Sequence, residues 1–208
     1  MALAQSPSNS LHYTVEQYLE IERKSGERHY YVDGVIYEMA GESDEHGEIT
    51  VNLVRELSTQ LMDTPCRVRT KDTKVQSGPA NPLSRKVVFS YPDVLVICGE
   101  LQFRDEHRDV IINPAVIVEV LSESTEAFDR GEKFLRYQLW NPTLTDYILV
   151  SQTTPLVEHS IRQADGGWLT YARRGLSQVV EIKSINAALN LTRVYDRVGF
   201  SDSTDSDL

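Results

Sequence analysis

The chain has 208 residues, 40% hydrophobic and 25% charged, with a formal net charge of −10. That length suits one domain with a sizeable core. The acidic balance argues against a tight, sequence-independent nucleic-acid binder, which usually carries the opposite sign, but not against an enzyme whose metal site needs clustered carboxylates.

Residues 1–11 read as a flexible arm. Met1–Ser10 is small and polar, without the basic start and apolar stretch of a secretory signal. Thr14–Lys24 reads as a helix: Thr14 and Gln17 form a capping-box pattern, and Val15, Tyr18, Leu19 and Glu22 follow helical spacing. In His29–Ala40 the Asp33-Gly34 pair between two β-rich runs signals a hairpin. Asp44–Met62 reads as a second helix, with Ile49, Leu53, Leu57 and Leu61 as its apolar stripe, Ser43 as cap, and Asp44, Glu45 and Glu48 at the positive end of its dipole. Cys66 and Cys98 make neither a metal spacing nor a disulfide framework, so a reducing cytoplasm is the expected compartment.

Arg67–Gln76 alternates and reads as one strand, followed by a loop over Ser77–Ser90. Tyr91–Cys98 and Ala115–Leu121 are nearly continuous apolar runs, as in the middle of a sheet covered on both faces. Between them, Gly99–Pro114 is polar and reads as exposed. Phe128–Trp140 reads as a helix stopped before Pro142, Asp146–Ser151 as a buried strand, and Leu156–Arg162 with Trp168–Arg173 as a second hairpin. A short helix over Leu191–Val198 closes a domain spanning 12–199, and 200–208 reads as a disordered acidic tail. No apolar run approaches the roughly 18 residues of a membrane span, so no membrane partner is expected. The fold class that follows is α/β, an α+β mixed sheet with a helix, three-strand, helix, strand core and flanking hairpins.

Glu119 carries the most information. It sits mid-strand, with Ile117 and Leu121 as same-face neighbours. An isolated buried carboxylate is costly, so either a metal, a cation or a proton compensates it, or the strand end reaches water. Asp93 opens the other apolar run, where it is a strand-end turn residue or a second acid on the same face. Such a pair, with waters or a carbonyl, suits a hard cation. Lys133, sharing a helical face with Tyr137 and Trp140, can point back to the sheet and stabilise charge, or pair with Asp129 one turn earlier. His46 faces the core in register with Ile49, Thr50, Leu53 and Leu57, as a structural or a site histidine. Glu38 is a weaker candidate. His12, His29, His107 and His159 show no ligand spacing and read as surface. The basic residues at Arg67, Arg69, Lys71 and Lys74, at Arg85-Lys86 and at Arg173-Arg174 read as solvated faces, without interleaved aromatics. No Gly-rich phosphate loop, Gly-x-Ser-x-Gly elbow or Cys-x-x-Cys is present.

Tyr91-Pro92-Asp93, Glu119-Val120-Leu121-Ser122, Asp129-Arg130-Gly131-Glu132-Lys133 and Tyr137 together resemble the Uma-type restriction-endonuclease family of the PD-(D/E)xK nuclease superfamily. Tyr31-Val32-Asp33-Gly34 with Glu38, His46 and Pro65-Cys66-Arg67-Val68 extend the resemblance over residues 13–198. It implies a restriction-endonuclease-like core and Asp93 and Glu119 as acids binding Mg²⁺ or Mn²⁺, with Val120 completing the metal set. The superfamily places a lysine two residues after that Glu. Here the position holds Leu121, and the resemblance implies that Lys133 on the next helix takes the role. His46 falls where other members carry a helical Glu.

The function implied is metal-dependent hydrolysis of DNA phosphodiester bonds. The alternatives are a catalytically inactive nuclease fold with a binding or regulatory role, and a metal-dependent hydrolase of another phosphoester. A homodimer is expected on grounds of symmetry.

Overall fold

The computed structural model describes residues 12–39, 41–79, 81 and 84–200. The expected arm, 1–11, and residues 201–208 of the expected tail lie outside them. Phe200, assigned above to the tail, packs its ring against Tyr195 with centroids 5.4 Å apart.

The chain opens with α1 (Val15–Lys24), the hairpin β1 (His29–Val32) and β2 (Val35–Glu38), and α2 (Asp44–Gln60). Strands β3 (Cys66–Thr70), β4 (Lys74–Ser77), β5 (Val88–Ser90), β6 (Val94–Cys98), β7 (Val110–Ile111) and β8 (Val116–Leu121) follow. A helical stretch is then built from α3 (Glu126–Phe128), a π-helical turn (Asp129–Lys133) and α4 (Phe134–Trp140). Strands β9 (Asp146–Ser151), β10 (Leu156–Arg162), β11 (Trp168–Arg174), β12 (Val179–Ile182) and β13 (Ala187–Asn190) lead to α5 (Leu191–Val194).

The main sheet has the order β11-β10-β9-β8-β6-β3, and β8 runs parallel to β9 through the helical crossover. Reading α2, β3, β6, β8, α3–α4, β9 recovers the expected helix, three-strand, helix, strand core. A second sheet, β2-β1-β5-β4-β7, joins the first hairpin to the middle of the chain.

Strands β6 and β8 are buried on both faces, and their alternation sorts the core. Val94, Val96, Val116, Val118 and Val120 pack with Ile49, Leu53 and Leu57 of α2. Leu95, Ile97, Ile117 and Leu121 pack on the other side with Tyr137 and Tyr147. Burying each large aliphatic side chain stabilises the fold by roughly 1.5–3 kcal/mol, which is why α2 and the crossover helix clamp these strands. The capping box at Thr14 and Gln17 forms, and Ser43 caps α2 by accepting from the His46 N–H. Asp33 and Gly34 both adopt positive φ, as a tight hairpin turn requires.

Several expectations need correction. Arg67–Gln76 is two strands in different sheets, because a turn, closed by the Thr73 N–H donating to Thr70 O at 2.8 Å, interrupts the alternation. Gly99–Pro114 contains the buried pair Val110-Ile111, which extends the second sheet beside β4. The Ser77–Ser90 segment ends in a fully buried strand, β5. The final helix stops at Val194, and the β12–β13 hairpin before it carried no signal strong enough to read. His159 is buried, with Nε2 2.7 Å from Asp146 Oδ1, because the pairing of β10 with β9 sets it beside that carboxylate. Cys66 lies directly opposite Cys98 across β3 and β6, and the two form a disulfide. Neighbouring strands align them, which a separation of 32 residues conceals. Disulfides persist in oxidising compartments, so the cysteine count no longer argues for a reducing one.

Candidate metal-carboxylate site

Strand register brings the two acids together. Val94 pairs with Val118, so Asp93 stands one residue beyond the last β6–β8 pair, level with Glu119. There the β6 ladder has ended, and the Val120 N–H donates instead to Asp93 Oδ2 at 2.7 Å. Glu119 shares the strand face of Ile117 and Leu121 and is buried at 2% exposure, so the exposed strand-end reading does not hold.

Lys133 reaches that face from the crossover helix. The helix widens to a π-helical turn over Asp129–Lys133, a distortion that often accompanies functional sites. Tyr147 pins the turn by donating to Asp129 O at 2.9 Å, while its ring stacks on Phe134. Lys133 is thereby buried, with Nζ 2.7 Å from Glu119 Oε1 and 2.8 Å from Asp129 Oδ1. The lysine thus points back to the sheet and also pairs with Asp129 one turn earlier. Tyr137, one turn on, is buried and hydrogen-bonded to Ser90 Oγ, but Trp140 is exposed, so the three do not share one buried face.

His46 arrives from the first turn of α2. Its Nε2 lies 3.3 Å from Asp93 Oδ2 and its Nδ1 3.4 Å from Glu42 Oε2. Burial favours the neutral ring, but the carboxylates of Asp93 and Glu42 outweigh it and raise the His46 pKa above the ordinary value. Glu42 also pairs with Lys71, so the loop before α2 is tied to the end of β3.

These groups line one cleft of about 1010 Å³. Asp93, Glu119, Val120, His46 and the exposed Glu38 all border it; Lys133 lies beneath its floor, touching it through Glu119 and Asp129. Burial pushes the Glu119 carboxyl far up despite the ammonium beside it, and Asp129 and Asp93 push the same way. Burial works against the Lys133 charge, but Asp129 and Glu119 hold it protonated. Lys133 is thus shared by Glu119 and Asp129, and a further cation beside Glu119 would favour its ionised form.

The donor set fits a hard divalent ion on two counts. Glu119 Oε1 is buried without a hydrogen bond, since its contact with Lys133 has ion-pair distance but not hydrogen-bond geometry. Asp93 offers a second carboxylate fixed by a peptide N–H. Among the described residues no group of three or more His, Cys, Asp or Glu side chains is placed to hold a metal ion. A Mg²⁺ ion here would need waters and a main-chain carbonyl beside the two carboxylates.

Sequence reading missed Tyr30. Its ring lies 5.5 Å from Lys133 Nζ and 6.3 Å from the ring of Phe128, and burial raises its pKa. Alternation along β1 marks Tyr30 only as a pairing residue. Arg136 clamps the Asp33 carboxylate through both guanidinium nitrogens, at 3.0 and 2.6 Å, which holds the hairpin carrying Tyr30 against α4. Among the expected surface histidines, His29 is instead half-buried and bound to Glu22 at 2.9 Å, whereas His12 and His107 are exposed.

Mixed sheets, a parallel crossover and a strand acid met by a helical lysine define a restriction-endonuclease-like α/β protein. The comparisons agree. A solved structure described as a putative nuclease belonging to DUF820, from Anabaena variabilis ATCC 29413, superposes with a TM-score of 0.69 at 15% identity, covering 88% of this chain and 97% of that one. Two proteins of Synechocystis sp. (strain ATCC 27184 / PCC 6803 / Kazusa) are similar along most of their length. "Uncharacterized protein slr1290" is 36% identical, over 95% of this chain and 100% of its own, and "Uncharacterized protein sll1609" is 32% identical, over 81% and 91%. The family model described as "Uma2: Putative restriction endonuclease" matches residues 15–192, and the chain belongs to that family.

Proposed function

We propose that this protein is a Mg²⁺- or Mn²⁺-dependent endonuclease that hydrolyses DNA phosphodiester bonds in the cleft. Asp93, Glu119 and the main-chain carbonyl of Val120 would hold the metal. The observation that carries this reading is the buried meeting of Lys133 with Glu119 at 2.7 Å. A lysine from the crossover helix reaches the acid that the missing strand lysine would have served.

A bound divalent ion would polarise the scissile phosphate and make a water more acidic. Lys133, protonated at neutral pH, holds positive charge against the floor of the cleft, where it can orient a water or offset charge developing on phosphate. Asp93 is kept in one orientation by the Val120 N–H, and His46 lies against the same oxygen as a positioning group. The other proposed elements are a cytoplasmic location, a DNA partner and a homodimer. Among the described residues no helix is long and apolar enough to cross a membrane.

One observation favours a second reading, a nuclease fold used for binding or regulation. Glu27, Glu38, Glu42, Asp72, Glu123 and Asp129 also line the cleft, against Arg28 and Lys71. A polyanion meets repulsion there unless bound cations reverse it.

Plasmid and short single-stranded DNA, incubated with Mg²⁺ or Mn²⁺ beside the Asp93→Ala and Glu119→Ala variants, separate these readings. Metal-dependent cleavage lost in both variants supports the nuclease. Metal binding without cleavage of any substrate moves the assignment to the second reading. Turnover of a mononucleotide ester without DNA cleavage points to another phosphoester, and absence of metal binding removes the site.

A further inference from the structure

Strand β11 ends the main sheet, and nothing in the described chain covers its outer edge. All seven residues pair with β10 in unbroken register, from Leu156–Arg174 to Arg162–Trp168, with no bulge and no proline. Proteins blunt free edges with charge, proline, bulges or short strands, because an open ladder invites another strand. The opposite edge of the same sheet follows that rule: β3 exposes Arg67 and Arg69. On β11 the arginines are confined to one end, at Arg173 and Arg174, and the rest is Trp168, Leu169, Thr170, Tyr171 and Ala172.

The hydrogen-bond phase of the hairpin identifies which main-chain groups are free. Beyond its two ends, the Gln163 N–H donates to Gly167 O at 2.8 Å and the Gly175 N–H to Pro155 O at 2.7 Å. Antiparallel pairs alternate between bonded and non-bonded, and both ends give the same phase. Leu169, Tyr171 and Arg173 therefore bond inward to β10. Trp168, Thr170, Ala172 and Arg174 turn their N–H and C=O groups outward.

We infer that this edge is the interface of a homodimer, in which β11 pairs antiparallel with β11 of a second copy about a two-fold axis through Tyr171. In that register Trp168 faces Arg174 of the copy and Thr170 faces Ala172. Every outward N–H and C=O then finds a partner. Moving the axis to Thr170 or Ala172 leaves the groups of one end residue unpaired. The same register is favourable for side chains. The arginines lie opposite Trp168 and Leu169 rather than each other, and Arg174 comes beside an indole face, a contact guanidinium groups favour.

A stable interface buries at least about 1,000 Å², more than a strand edge alone provides. The flank supplies apolar surface. The Phe134 ring on α4 meets Trp168 with centroids 5.1 Å apart, and the neighbouring Leu135 and Leu139 are 52% and 63% exposed. Leu169 and Tyr171 are 44% and 42% exposed on the strand itself. The pairing continues the six-stranded sheet across both copies. It specifies the homodimer reading above without depending on catalysis.

Light scattering on the full chain, with Tyr171→Cys and Thr170→Pro variants, tests this. The axis makes Tyr171 a non-bonded pair with itself, at a Cα separation of about 4.5 Å, within the range a disulfide spans. Oxidised glutathione should convert the Tyr171→Cys protein almost fully to a covalent dimer, each link oxidising two of the introduced thiols and reducing one glutathione disulfide to two glutathione thiols, while Val179→Cys stays monomeric on a non-reducing gel. Thr170→Pro removes one outward N–H and should weaken association at least tenfold with the circular dichroism unchanged. If that variant does not fold, the cross-link decides. A monomeric wild-type protein overturns both this interface and the homodimer reading. A dimer that does not cross-link through position 171 overturns the interface alone.

Discussion

The Val120 N–H donates to Asp93 Oδ2 at 2.7 Å, so the acid of one strand is held by the peptide that follows the acid of its neighbour. The Asp93 carboxylate is therefore set by backbone register, while that of Glu119 is met by the Lys133 side chain.

Replacing Asp93 should separate chemistry from support. Asp93→Ala and Asp93→Asn should both abolish metal-dependent cleavage. The alanine variant also leaves the Val120 N–H without an acceptor and should cost roughly 1–3 kcal/mol, while the amide retains an oxygen to accept it. Urea unfolding of the two variants measures the difference, and equal midpoints would show that the bond contributes nothing.

Lys133→Met strands Glu119 and Asp129 together in the core. Loss of one partner of a buried ion pair typically costs about 3–5 kcal/mol. Combining it with Glu119→Gln should recover part of that loss, because the uncompensated charge goes too. Thermal melts of the single and double variants give the coupling directly. An additive double variant would mean that Lys133 does not answer to Glu119.

How much of this was legible in the sequence depends on how local the cause is. Asp33-Gly34, Ser43 and the α2 stripe act within a few residues and could be read. So could Asp93 and Glu119, because an acid inside an apolar run needs compensation wherever the strand ends up. Lys133 was legible as a candidate, but the π-helical turn that aims it was not. Tyr30, His159 and the Cys66–Cys98 link depend on which strands become neighbours, and no local pattern reports that. Arg67–Gln76 misled because its alternation continues across a turn.

Acid stability should report on Asp146. Burial raises its pKa, but bonds from His159, Ser184 and Thr145 outweigh burial and hold it below the ordinary value. A carboxyl depressed in the folded state contributes stability that is complete above its unfolded pKa, about 3.9, and is lost as pH falls through the lower folded value. Unfolding midpoints measured from pH 6 downward should fall less steeply in Asp146→Asn than in the wild type over that window. Parallel profiles would remove Asp146 from the account.

The Cys66–Cys98 link closes a loop across 32 residues, and in the chain-entropy model that is worth roughly 3–4 kcal/mol. Dithiothreitol should lower the melting temperature of the wild type and leave a Cys66→Ser, Cys98→Ser double variant unmoved. Thiol titration of protein taken from a reducing and an oxidising compartment then tells which one maintains the native form.

The wide turn at Asp129–Lys133 also bears on insertions and deletions. An α-helical residue advances about 100°, so deleting Gly131 and closing the turn to ordinary pitch would leave Asp129 and Lys133 three residues apart, still on one face. The extra residue is therefore absorbed within one turn, and a gap of one residue there should be tolerated more readily than loss of the lysine itself.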